Sequence, residues 1–126
     1  MVNMVNLSLK IHPQVLFCYN ANHVDLTVRA ENKAGETCWM EADVHVPEML
    51  SVSPTSKIDK GRVRMGILGK KEFIEKSVKV YANMYTQPQI YRVNVIIYAY
   101  DKDGVISKRI EKSIDVRCEL KKAEVL

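Results

Sequence analysis

Glu41, Asp43 and His45 recur at every second position of one alternating segment, so on an extended chain all three project from the same face. Carboxylate and imidazole groups are ligands that a divalent ion takes, and this trio is the best metal candidate in the chain. Same-face neighbours on a strand stand roughly 6 to 7 Å apart, so only long side chains could converge on one ion. The row therefore reads as the wet side of a sheet, and neither a metal nor another cofactor is expected. His12 and His23 fall near turns and have no partner legible in the sequence. Cys18, Cys38 and Cys118 are an odd number at long spacings, matching neither a paired CxxC metal site nor a closed disulfide framework. Free, partly buried thiols in a reducing compartment are expected, one bridge being the alternative for a secreted protein. HExxH, GxSxG and Gly-rich phosphate loops do not occur, and no nucleophile with a base is legible. No catalytic residue is assigned, and an enzyme is not expected.

The 126 residues have room for one core, and the domain expected is 1–126, with 119–126 a frayed tail or a short helical turn. The formal net charge of +4 is dispersed: Lys57, Lys60, Arg62 and Arg64 form one basic stretch, Lys70 and Lys71 another, and Lys108 with Arg109 a third. Such charges read as a solvated face and support nucleic-acid binding only weakly. No apolar run approaches the ~20 residues of a membrane span. Met1 to Asn6 lacks the basic and apolar regions of a signal peptide, so a cytoplasmic location without membrane insertion is expected, and the Asn6-Leu7-Ser8 acceptor triplet carries little weight.

The elements that must position these residues are strands. Val24 to Glu31 alternates apolar and polar residues; Asn32-Lys33-Ala34-Gly35 interrupts as a turn; alternation resumes at Met40, Ala42, Val44 and Val46, as in a hairpin return. Pro47 and the Ser51 to Ser56 stretch break regular structure. Further strands are expected over Gly61–Leu68, with Gly66 marking a bulge or weak point, over Ser77–Ala82, and over Ile90–Tyr100 as the longest apolar one. Asp103-Gly104 is a hairpin signal leading into Val105–Cys118. With Leu7–Ile11 and Gln14–Cys18, this makes an all-β chain of seven or eight strands. An immunoglobulin-like antiparallel β-sandwich is the natural way for them to bury their apolar faces.

The order of Glu31-Asn32-Lys33-Ala34-Gly35, Gly69-Lys70-Lys71-Glu72 and Tyr91-Arg92-Val93-Asn94-Val95 resembles the cell-adhesion-related (CARDB-like) domain of bacteria and archaea and the related domain appended to some bacterial galactosidases. The resemblance spans roughly Asn22 to Cys118 and implies an immunoglobulin-like module. Tyr91 is similar to the tyrosine corner of such domains. Val28 and Val93 stand where antibody domains carry their paired cysteines.

If Tyr91, Val93, Val95, Ile97 and Ala99 face the core, then Ile96, Tyr98 and Tyr100 face outward. Trp39, opposite in parity to Met40 and Ala42, joins them from a neighbouring strand. An interface of Trp39, Ile96, Tyr98 and Tyr100 is expected on a non-catalytic protein-protein interaction or assembly module, self-associating as a homodimer through this face. Carbohydrate or nucleic-acid binding through the same aromatics is the alternative.

Overall fold

A computed structural model describes residues 5–33 and 35–121, which contain β1 (Val5–His12), β2 (Val15–Phe17), β3 (Asn22–Asn32), β4 (Cys38–His45), β5 (Lys60–Leu68), β6 (Phe73–Ala82), β7 (Gln89–Tyr100) and β8 (Ile106–Glu119). They form a three-stranded sheet in the order β1-β3-β6 and a five-stranded sheet in the order β2-β8-β7-β4-β5. Every pairing is antiparallel except β2 with β8, which is parallel. Ala34 of the first expected turn and residues 122–126 of the expected tail lie outside the described residues.

Alternation sets which side chains meet between the sheets. Val24, Leu26, Val28 and Ala30 of β3 and Val80 of β6 are buried on one side, and Met40, Ala42 and Val44 of β4 with Tyr91, Val93, Val95 and Ile97 of β7 on the other. The core is thus β-branched and aliphatic, the composition that fits a pleated surface. β3 and β4 do not make the expected hairpin. They lie in different sheets, because both carry an apolar face and the chain buries the two against each other by crossing over.

Buried polar groups fix the ends of the sandwich. Asn32 is fully buried, and its Nδ2 donates toward the carbonyls of Glu36, Leu68 and Gly69 at 2.9, 3.0 and 3.2 Å, tying the end of β3 to the β5–β6 turn. Tyr91 Oη donates to the carbonyl of Gln87 at 2.7 Å, the expected corner that pins the segment entering β7. The β7–β8 turn closes as expected: Gly104 takes φ 77°, its N–H donates to the Asp101 carbonyl, and the Asp101 carboxylate accepts from the N–H groups of Asp103 and Val105. The Ser51 stretch is held by a bridge to Tyr81 and by the Ser51 hydroxyl, which donates toward the carbonyls of Ser56 and Ile58 and accepts from the N–H groups of Ser53 and Ile58. Glu119 belongs to β8 rather than to a tail, its carbonyl being held by the N–H of Cys18 at 2.9 Å.

Val28→Asp is expected to abolish cooperative folding, since an unpaired carboxylate between the sheets costs several kcal/mol. Tyr91→Phe loses one hydrogen bond, about 1 to 2 kcal/mol, and stays folded. Thermal melts followed by circular dichroism check both: a Val28→Asp melt matching the wild type would refute the assigned inward face of β3.

Candidate functional site

The outer face of the five-stranded sheet is ordered in rows, because residues paired across strands share a face. Trp39 lies opposite Ile67 of β5 on one side and Tyr100 of β7 on the other, and Tyr100 lies opposite Ile106 of β8. Ile67, Trp39, Tyr100 and Ile106 therefore form one apolar row across four strands. The next row is Arg64, Glu41, Tyr98 and Arg109, and the next Arg62, Asp43, Ile96 and Glu111. An apolar band at one end of the face thus gives way within one residue pair to a charged field.

The expected interface is only partly what the structure presents. Trp39 is 38% exposed and Tyr98 and Tyr100 are half-buried, but Ile96 retains only 8% of its surface. Ile96 projects outward as its parity requires, in the row of Arg62, Asp43 and Glu111, and is nevertheless buried. It is therefore withdrawn from the exposed patch. Ile67 and Ile106, 67% and 51% exposed, extend the row instead.

Two bulges explain why parity missed them. Gly66, at φ 108°, sits beside a register shift at Met40/Glu41 in the β4–β5 pairing, so Met65 and Gly66 face one residue. Met65 is buried, and Ile67, of the same sequence parity, is turned outward. A second shift, at Ala99/Tyr100, leaves Ser107 over and sets Ile106 opposite Tyr100.

A polar chain holds the row in place. Trp39 Nε1 donates to Glu41 Oε1 at 3.2 Å, and Arg62 reaches Glu41 Oε2 with Nη1 at 3.2 Å. The same guanidinium grips Asp43 with two bonds, Nε to Oδ1 at 2.8 Å and Nη2 to Oδ2 at 3.1 Å, while Lys60 Nζ stands 3.7 Å from Oδ2. The Asp43 side chain is 2% exposed, and its forked bond with Arg62 holds the carboxyl below the usual carboxylate range against the opposing effect of burial. The same pair raises the pKa of Arg62. Glu41 and Asp43 share a face as expected, but their oxygens are taken up by Trp39, Arg62 and Lys60. Among the described residues, no group of three His, Cys, Asp or Glu is placed to hold a metal ion.

A groove of about 500 Å³ opens beside the row, lined by Thr37, Trp39, Glu41, Ile67, Tyr100 and Lys102 among others. The cysteines are all unpaired. Burial pushes the Cys118 thiol up to about 11, with the adjacent Cys18 adding to the shift, and burial raises Cys38 as well. Neither Cys38 nor Cys118 is the activated thiolate that nucleophilic chemistry needs. His23, without a legible partner in the sequence, stacks at 5.4 Å on Tyr81. No helix among the described residues is long and apolar enough to cross a membrane.

No protein-family model matches the chain. No curated protein matches it either. Solved structures do match. Escherichia coli α2-macroglobulin, from its MG7 domain to the C-terminus, aligns at TM-score 0.68 and 13% identity over 92% of this chain and 16% of that one. A FixG-related protein from Vibrio parahaemolyticus aligns at 0.59 and 15% over 94% and 100%. The CARDB domain of a Pyrococcus furiosus protein, solved with di-metal ions, aligns at 0.55 and 18% over 96% and 99%. At such identities the likeness is one of fold. The chain is an immunoglobulin-like β-sandwich, and its resemblance to the CARDB domain holds at that level.

Asp43 makes the site acid-sensitive in a defined direction. A carboxyl whose folded pKa is depressed contributes stability above its unfolded value, and the contribution is lost as pH falls through the folded one. Urea midpoints of wild type and Asp43→Asn should therefore differ most near pH 7 and converge below about pH 4. A gap that persists unchanged well below about pH 4 would show that the Asp43–Arg62 pair is not its source.

Proposed function

We propose that this chain is a non-catalytic assembly module that associates with a second copy of itself through the apolar row of the five-stranded sheet. The observation that carries the reading is the row itself, Ile67, Trp39, Tyr100 and Ile106, exposed at one end of a face that is otherwise charged. Its order, aliphatic, aromatic, aromatic, aliphatic, is symmetric. A twofold axis lying in the interface, parallel to the strands and passing between Trp39 and Tyr100, sets Ile67 against Ile106 of the mate and Trp39 against Tyr100 of the mate, as an isologous contact requires. Trp and Tyr are the residues that anchor protein contacts, and a polar surround that excludes water is what such anchors need.

The contact centre falls on Trp39 and Tyr100 rather than on Tyr98, which stands between Glu41 and Arg109. Glu41 fixes the indole before any partner arrives, which lowers the ordering cost of association. Three unpaired thiols support a reducing compartment such as the cytoplasm as the setting.

Light scattering coupled to size exclusion at tens of micromolar tests the reading. Wild type should run above monomer mass, Trp39→Glu should lose this contact while melting at nearly the wild-type temperature, and Tyr98→Glu should weaken it less. A monomeric wild type, or a Trp39→Glu variant of unchanged mass, rejects the apolar row as the contact.

A further inference from the structure

β8 runs for 14 residues, but its outer edge is used only at the far end, where β2 pairs with Arg117, Cys118 and Glu119. Among the described residues no strand pairs with that edge from Ile106 to Asp115. The unpaired N–H and C=O groups of such an edge are a template for another strand. Five exposed charges, Lys108, Arg109, Glu111, Lys112 and Asp115, guard this one without a proline.

The sequence of the free stretch is nearly its own mirror. Ile106-Ser107-Lys108-Arg109-Ile110-Glu111-Lys112-Ser113-Ile114 reads the same in both directions about Ile110, save for one pair of positions, Arg109 and Glu111, whose charges are opposite. An antiparallel pairing of two copies about an axis through Ile110 therefore places Ile110 on Ile110 and Arg109 on Glu111 twice over, the register ending at the bulge beside Ser107, beyond which Ile106 is turned to the outer face. The one departure from the mirror is the substitution that turns a like-charge clash into two cross-strand ion pairs. We infer that the free edge of β8 is a self-pairing surface that joins two copies of the chain into one continuous sheet.

The geometry around the edge agrees. The paired stretch, Lys108 to Lys112, ends short of Arg117, where the pairing with β2 begins. Lys108 faces the mate's Lys112, and Lys112 the mate's Lys108, two unfavourable matches, but Lys112 Nζ is drawn aside to the carbonyl of Leu7 at 2.8 Å. The bulge at Ser107 confines the tightest pairing to Lys108–Lys112. Arg109 and Glu111 stand 3.6 Å apart within one chain, already on the outward face that each presents to its counterpart.

This contact is separate from the apolar row, and its test is made in the Trp39→Glu background so that the failure of one leaves the other standing. Sedimentation equilibrium at hundreds of micromolar should detect a dimer of Trp39→Glu. Arg109→Glu or Glu111→Arg added singly should weaken it roughly tenfold, because two pairs become repulsive, and the double reversal should restore it. Ile110→Cys with Cys38→Ser should give disulfide-linked dimers under oxidised glutathione, whereas Glu111→Cys, one residue off the axis, should give far fewer. A strictly monomeric Trp39→Glu chain, single reversals without effect, a double reversal as weak as the singles, or equal crosslinking at 110 and 111 would each overturn the pairing.

Discussion

A β-strand has two faces, and when two sheets close on one core each residue placed inward commits its neighbours outward. In this chain Val93, Val95, Ile97 and Ala99 of β7 fill the interior, so Asn94, Ile96, Tyr98 and Tyr100 have only the outer side. The same constraint on β4 puts Trp39, Glu41, Asp43 and His45 beside them. The outer face is in this sense dictated from within. A bulge relaxes the constraint by inserting one residue and reversing parity beyond it, and the two bulges beside Gly66 and Ser107 each bring an isoleucine into the apolar row. Without them the row would be two aromatic residues wide rather than four residues.

Much of this was legible in the chain itself. Strict alternation in β3, β4 and β7 marks Val28, Val44 and Val93 as interior, Tyr91 announces its corner, and Asp103-Gly104 its turn. The partnership of β4 with β7 followed from immunoglobulin-like strand order. What stayed hidden depends on non-local geometry. The exposure of Ile67 and Ile106 requires knowing on which side of a bulge each lies, and Gly66 was the only local sign of either. Ile96 obeys parity yet is buried on the outer face. The grip of Arg62 on Asp43 joins residues on two strands whose register no single-strand pattern supplies. The separation of β3 and β4 into different sheets was likewise invisible, because a short polar connection serves a hairpin and a crossover equally well.

The charged rows also have a mechanical part. Asp43 would be a costly buried carboxylate without its forked partner, and with it the middle of the face becomes a stiff polar platform rather than an open apolar sheet. The aromatic end is confined by that platform, which limits the apolar surface open to indiscriminate association. β2 does the complementary service on the edge, covering the last residues of β8 and leaving a stretch of defined length.

Trp39 is the only tryptophan in the chain, and its indole is held at the boundary between the apolar row and water by Glu41. The protein therefore carries an optical probe at its candidate contact. Emission from an indole shifts to shorter wavelength when water is withdrawn from it, and a carboxylate at its N–H makes the signal sensitive to the charge of that one neighbour. Whatever covers the row will be read by the residue it covers, without a label and without competing signal from elsewhere in the chain.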